Sequence, residues 1–357
     1  MMSIDNKLYR RVLFIGPHLD NRGGISAVLN AYKRNLPEFH MLATNSVKGT
    51  VAGLFNFART LIALPFAKWF GGFDTIDIHA STGKSWKRKS KIVSLAKALG
   101  FKMVLHMHSG NFRNAVEKEG VEKFKKTLAK CDRVLFLTPK WHEYARETFG
   151  LNNLGILNNI IDTPAVGRPE PERELDGLRR FVYLGWFIPE KGIYDLLDVV
   201  SENAGYFRGK ATVVFGGRYN EETVQQKIRE LGIEDIVDYR GWIWAEEKDR
   251  LLKESHVLIL PSYIEGLPIS LLEAMTYSMP VITTDVGGIP EIVTDKVNGI
   301  MFKPRDKNAL FEAMKHYMET PEDIVKHGRN GHEVSKNFAP EIVCSRLNEI
   351  ISEVRND

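Results

Sequence analysis

Two glutamates, Glu265 and Glu273, stand in the run LILPSYIEGLPISLLEAMTYSMPVITTDVGGIPEIV at residues 258–293. A helix beginning near Pro268 would hold Glu273 about two turns beyond Glu265, which stays in the preceding loop. The two carboxylates would then stand at opposite ends of one ligand. Between them Gly266, Leu267, Pro268, Ile269 and Ser270 offer backbone N–H groups at a helix start, which suit a diphosphate. Glu273, set among the apolar residues of LLEAM, would be costly to bury unpaired. Accepting hydrogen bonds from a ribose diol gives it a function. Glu265 could instead serve only the helix dipole, a contribution of about 0.3 to 1 kcal/mol. Lys191, in Pro189-Glu190-Lys191-Gly192, could neutralise phosphate charge or lie solvated at a helix start.

Nearer the amino terminus, Gly23 and Gly24 precede the helix-like SAVLNAYKRNL. Small residues at a helix start let a phosphate approach free N–H groups. An ordinary turn explains them as well, because neither G-x-G-x-x-G nor a Walker lysine is present. His79, His106 and His108 raise a metal reading, since i and i+2 share a strand face. No carboxylate cluster accompanies them in the sequence, so no metal site is expected. His108, followed by Ser109-Gly110 at a strand end, is the active-site candidate, and His106 reads as structural.

These groups need a scaffold that brings strand ends together. Short β-rich runs at 12–15, 39–43, 75–79, 102–108, 133–137, 180–184, 211–215, 257–260 and 281–284 alternate with helix-length segments. Several are almost wholly apolar, as strands covered on both faces should be. Such alternation predicts doubly wound parallel sheets with crossover helices. Each half restarts alike, with RVLFIG ending at Gly16 and RFVYLG ending at Gly185. Between them residues 163–178 hold three prolines and six charges, which reads as a linker. Two lobes, residues 1–165 and 175–340, are expected to face one another across a cleft at the strand carboxyl ends. A chain of 357 residues accommodates two cores of about 150 to 180 residues each.

Composition narrows the class. Hydrophobic residues at 43% and charged residues at 26% describe a globular protein. The most apolar stretch, residues 51–73, is cut by Arg59, Lys68 and the helix-breaking Pro65, so no transmembrane span is expected. The polar start at residues 1–11 lacks the apolar core of a secretory signal, which leads to a cytoplasmic expectation. Cys131 and Cys344 are too few for a disulfide framework. Net charge is +4, but residues 1–165 carry +13 and the remainder −9. Lys84, Lys87, Arg88, Lys89 and Lys91 surround Trp86, and further lysines flank Val121, Phe124 and Leu128. These are either solvated helix faces or a surface for anionic lipid, with residues 51–73 as an apolar companion. Nucleic acid is not the expected partner, because no aromatic platform or DNA-reading motif accompanies the charge.

The motifs LGWFIPEKG, VFGG, YRGWI, LPSYIEGLPISLLEAM, PVITTDVGGIPEIV and NGIMFKP, with RGGIS, LHMHSG and NNIID in the first half, resemble the retaining GT-B glycosyltransferases of family 4. That resemblance covers most of residues 180–305 and is more specific there than in the first half. It implies an α/β fold of the GT-B type, two Rossmann-like doubly wound domains, with helix 341–354 packing back on the first. It implies a nucleotide-diphosphate sugar as donor and no metal or other cofactor. By the resemblance Glu265 would contact the sugar, Glu273 the ribose, Lys191 with Gly23 and Gly24 the diphosphate, and His108 the transferred sugar. Gly287, Gly288 and Glu291 would shape the adjoining loop. The acceptor would be a glycan or lipid-linked hydroxyl of envelope or capsule polysaccharide synthesis, reached from the inner face of an anionic membrane.

Two positions depart from the pattern. Trp186 stands where an arginine is common, and Ser278 where a glycine is common. Three other readings fit parts of the sequence: a sugar-nucleotide epimerase of the same architecture, a two-lobed nicotinamide dehydrogenase, and a silent nucleotide-binding module. The dehydrogenase would need a G-x-G-x-x-G and a following ribose acid that the sequence lacks.

Overall fold

A computed structural model of the chain describes residues 6–166, 175 and 177–356. Most of the segment read as a linker, 167–174 and 176, lies outside the described residues, as do residues 1–5 of the polar start.

The chain divides into two compact units, Met1–Asp162 with Phe338–Asp357, and Thr163–Asn337. In the first unit the strands are β1 (Val12–Gly16), β2 (His40–Ala43), β3 (Thr75–Ala80), β4 (Lys102–Met107), β5 (Arg133–Phe136) and β6 (Leu154–Ile156), in the order β2-β1-β3-β4-β5-β6. All pairs are parallel. Strands β1 and β3 are buried along their whole length, which follows from helices on both faces of a parallel sheet. The carboxyl-terminal helix Pro340–Asn356 belongs to this unit. It packs on β4 and on the Gly24–Asn35 helix through Val343, Leu347 and Ile351, with Arg355 on Asp74 at 3.0 Å.

The second unit holds β7 (Arg179–Trp186), β8 (Ala211–Arg218), β9 (Val237–Gly241), β10 (Val257–Leu260), β11 (Val281–Thr284) and β12 (Gly299–Phe302). Their order, β12-β11-β10-β7-β8-β9, is the doubly wound arrangement with its topological switch between β7 and β10. Ser278 has φ +53°, so the residue at this turn does occupy the left-handed region that favours glycine.

Two expectations need correction. The helix Thr50–Trp69 runs unbroken through Pro65. The backbone bond lost at proline is offset by Leu64, which is fully buried, and by the Thr60 hydroxyl, which donates to Asn56 O at 2.9 Å and Ala43 O at 3.1 Å. By length and composition this helix could cross a membrane, and most of it is not buried within the unit. Lys89, grouped in the sequence with surface cations, is 1% exposed and donates to Thr44 Oγ1. Its place in the helix Lys84–Ala98 turns it inward with Trp86, Ile92 and Val93, while Lys84, Lys87 and Lys91 stay exposed.

Candidate functional site

The second unit gathers its chemistry at the carboxyl ends of β7 and β10. Pro189–Lys191 forms a single turn after β7, and Gly192 follows it at φ +67°. A Cβ there would lie 2.0 Å from Pro261 O, so glycine lets the Lys191 turn press against the loop after β10. Lys191 Nζ meets Glu265 Oε1 at 2.6 Å, and the Ser262 hydroxyl donates to the same oxygen at 2.8 Å. Glu265 is 7% exposed, so its charge is compensated by an ammonium and a hydroxyl rather than by bulk water. Across the loop Gly287, at φ +59°, leaves 1.7 Å between a notional Cβ and Glu265 O, and Gly288 N donates to Gly266 O at 2.8 Å. The Gly-rich turn after β11 thus fixes the Glu265 backbone.

The helix Ile269–Thr276 starts at Pro268 with no side-chain cap and no acid in its first turn. Its first N–H groups are therefore the free donors that a phosphate can take. Gly266, Ile269 and Ser270 are partly exposed, whereas Leu267 and Pro268 are buried and anchor the start. Glu273 lies in this helix and pairs with Lys248 Nζ at 2.6 Å. Lys248 was not legible beforehand, because AEEKDRLLKE reads as a solvated helix face. Ser262 was likewise missed, although a hydroxyl three residues before a buried glutamate is a natural partner.

Trp186 ends β7, and its registered neighbour in β8 is Arg218. The Arg218 guanidinium stacks over Tyr219 at 4.8 Å, and Tyr219 meets the Trp186 ring at 5.1 Å. A guanidinium is therefore present at the carboxyl ends of the strands, one strand from the position where the sequence pattern commonly has it.

In the first unit, Gly23 precedes the helix Gly24–Asn35, again with no acid in the first turn. Gly23 has φ −170°, extended backbone open to any residue, so only small size recommends glycine here. The preceding loop is pinned by Asn30 Nδ2 to Leu19 O and Ser26 Oγ to His18 O, both at 2.9 Å.

The three histidines form one stacked group because of strand geometry. Asp77 and His79 share a face of β3, and His106 of β4 is the registered neighbour of His79. Rings of His79 and His106 lie 4.3 Å apart, and those of His79 and His108 5.0 Å. Asp77, fully buried, faces His106 Nε2 at 3.0 Å and His79 Nε2 at 3.2 Å. This partner was not anticipated, though Asp77 stands two residues before His79. Burial pushes the Asp77 carboxyl up, but the charge and hydrogen bonds of His106 and His79 outweigh it and hold the group ionised. Burial, aided by His106, pushes His79 down to about 4 and holds His108 well below the ordinary imidazole range.

His79 Nδ1 lies 2.9 Å from His108 Nε2, so one of the two neutral rings donates to the other. Asn159 is a further hydrogen-bond partner of the His108 ring. The ligand atoms of the three histidines lie within 4.8 Å of one another. At 2.9 Å, however, His79 and His108 are closer than the about 3.3 Å that two nitrogens on one tetrahedral zinc require.

Residues 169–334 match the family model described as glycosyl transferases group 1. The O-antigen chain mannosyltransferase C of Escherichia coli is 30% identical over 161 residues, 44% of this chain and 42% of that protein. The chain spans less than two thirds of the length of this and of the other first-matched curated relatives. Among solved structures, sucrose-phosphate synthase from Thermosynechococcus elongatus is similar with a TM-score of 0.74 at 17% identity, over 97% of this chain and 99% of that one. An Anabaena protein, HepE, solved with UDP-glucose, has a TM-score of 0.71 at 15% identity, over 96% and 99%.

Proposed function

We propose that the chain, whose residues 169–334 match the glycosyl transferases group 1 model and whose fold is of the GT-B type, transfers a sugar from a nucleoside-diphosphate sugar to a hydroxyl acceptor with retention at the anomeric carbon. The observation that carries this reading is the contact of Lys191 with Glu265 at the β7/β10 switch point, where doubly wound sheets bind ligands.

In this reaction the bond from the anomeric carbon to the diphosphate oxygen breaks, and its electron pair stays on that oxygen. The acceptor oxygen bonds to the same carbon, and its proton leaves to the departing diphosphate. Departure and attack share one face of the sugar, which is how the configuration is kept. Lys191 and the N–H groups at the start of Ile269–Thr276 stabilise the leaving charge. Arg218 supplies a second cation where Trp186 provides none. Glu265 positions sugar hydroxyls and is not a covalent nucleophile. Glu273 accepts from the ribose diol, exchanging its bond from Lys248. The first unit's own candidates are the Gly23-Gly24 helix start, which offers N–H groups to a phosphate, and His108, which offers its ring to a sugar hydroxyl.

The donor assignment is supported by similarity to a protein solved with UDP-glucose. An acceptor in cell-surface polysaccharide synthesis is supported by the O-antigen relative. A net +13 on residues 1–165 supports attachment to the anionic inner surface of a membrane, close to a lipid-linked acceptor. The test is incubation with a panel of nucleotide sugars and an added lipid-linked or oligosaccharide acceptor in EDTA, with the product's anomeric configuration read by NMR. Transfer with retention is expected without added metal. An inverted product, or activity lost on chelation and restored by manganese, would contradict the mechanism. Conversion of the donor's own sugar without transfer would replace it with epimerisation.

A further inference from the structure

The helix Thr50–Trp69 has two faces of the wrong kind for a soluble surface. One face, with Thr60 and Leu64, packs on β2 and on the helix Lys84–Ala98. The other carries Val51, Leu54, Phe55, Ile62, Phe66 and Trp69, each at least 60% exposed. Their spacing follows the helical period, so they form one apolar stripe pointing away from the unit. Phe70 extends it at 81% exposure. Scattered exposed hydrophobics are ordinary, but a contiguous aromatic stripe marks a contact surface.

Topology decides how such a helix can meet lipid. It links β2 to β3, and both strands pair with β1: Ile15 is registered with Leu42 on one side and Ile78 on the other. A helix crossing a hydrocarbon layer of about 30 Å would place β2 and β3 on opposite sides of the membrane. One strand cannot hydrogen-bond to both across that distance. The helix can therefore only lie along a surface.

Charge selects the surface. Residues 39–73 and 78–116 contain no Asp or Glu, while Arg59, Lys84, Lys87 and Lys91 are exposed on this helix and its packed neighbour. An apolar stripe flanked by cations, with acids excluded from both segments, matches an anionic lipid interface and opposes an acid-rich one. We infer that the helix Thr50–Trp69 lies in the plane of an anionic lipid surface, with Phe55, Ile62, Phe66 and Trp69 among the acyl chains. This rests on the membrane partner named above and turns an electrostatic attachment into an inserted one.

The full chain is to be floated with vesicles of phosphatidylcholine, and of phosphatidylcholine mixed equally with phosphatidylglycerol. Wild-type protein is expected on the anionic vesicles, with binding that persists in part at high salt. Brominated lipid should quench tryptophan emission, and Trp69→Phe should remove that quenching. Phe55→Ser with Phe66→Ser, both at exposed positions, should lower partitioning roughly a hundredfold, about tenfold for each aromatic. Wild-type partitioning by the double variant, or quenching unchanged in Trp69→Phe, would overturn the insertion. Binding that high salt abolishes equally in all variants would leave only the electrostatic attachment. No recovery with either vesicle would remove both. A dimer in solution that the double variant dissolves would assign the stripe to a second copy and overturn the inference. Sugar transfer to a soluble acceptor, measured on the same preparations, reports separately on the enzymatic reading.

Discussion

Lys191 Nζ and Glu265 Oε1 are 2.6 Å apart, so the proposed phosphate cation and the proposed sugar carboxylate neutralise each other in the free protein. Donor binding must share or break this pair, which links occupancy of the diphosphate position to release of the carboxylate for the sugar. Removing one partner of such a pair leaves a buried charge, at a cost of about 3 to 5 kcal/mol. Lys191→Ala should lose both stability of that order and at least about a hundredfold in turnover, since a lost charged transition-state contact costs about 3 to 4 kcal/mol. Glu265→Gln leaves Lys191 unpaired, but that side chain is 22% exposed and can reach water, so the variant should unfold within about 1 kcal/mol of wild type yet turn over slowly. Urea unfolding paired with initial rates separates the two. Equal destabilisation by both variants would contradict the pairing.

Arg218 gives a test by compensation. Arg218→Ala should weaken binding of a nucleoside diphosphate by about tenfold, the loss of one charge-assisted contact of about 1.5 kcal/mol. Trp186→Arg in that background places a guanidinium on the neighbouring strand and should restore most of the loss. Titration calorimetry on the three proteins checks it. Unchanged affinity in Arg218→Ala would exclude it as the second cation.

What the sequence could disclose follows the physics of burial. The central strands announced themselves as apolar runs, because both their faces are covered. The strands missed, β6, β9 and β12, are all sheet edges. An edge strand is half solvated, and VDYRG in β9 reads as a turn. The Glu265 to Ser270 block was legible because one short segment carries its loop, helix start and carboxylates. Partners from distant positions were not: Lys248 for Glu273, and Asp77 for the histidines, meet only through sheet register and helix packing. Lys89 misled because a cation among cations conceals that its helix turns it inward.

The histidine group should make stability fall in acid. His79 is held at about 4 by burial, against 6.5 when unfolded, so between those values the unfolded chain binds a proton that the folded chain does not. Stability is full above pH 6.5, falls as pH drops towards 4, and levels off below. For His79 alone the loss is about 3 kcal/mol. His79→Gln should flatten that part of the curve of unfolding free energy against pH. A slope as steep as wild type would show that other groups carry it.

Lys89 makes stability fall in the same direction, over a higher range of pH. Burial, with Arg88 adding repulsion, lowers its ammonium to about 7. Between about 7 and the ordinary 10.5 the unfolded chain binds the extra proton, so folding loses stability as pH falls through that range. Lys89→Met, similar in length and uncharged, should gain several kcal/mol over wild type at pH 7 and little at pH 10.5. Thr44 keeps its own bond to Gly16 O at 3.0 Å in either protein. Thermal melts at the two values check this, and a difference independent of pH would contradict the buried cation.

The central claim is that the carboxyl edge of the second unit holds a nucleoside-diphosphate sugar, with Glu273 on the ribose and Glu265 on the sugar. Titration calorimetry of wild type, Glu273→Ala and Glu265→Ala against nucleoside diphosphates and their sugar conjugates measures it most directly. Both variants leave a lysine without its partner, so each is judged on the difference between ligands rather than on absolute affinity. The account predicts that Glu273→Ala weakens diphosphate and conjugate alike, by about tenfold or more, whereas Glu265→Ala weakens only the conjugate. Diphosphate affinity unchanged in Glu273→Ala, or binding of no nucleoside diphosphate by the wild-type protein, would contradict it.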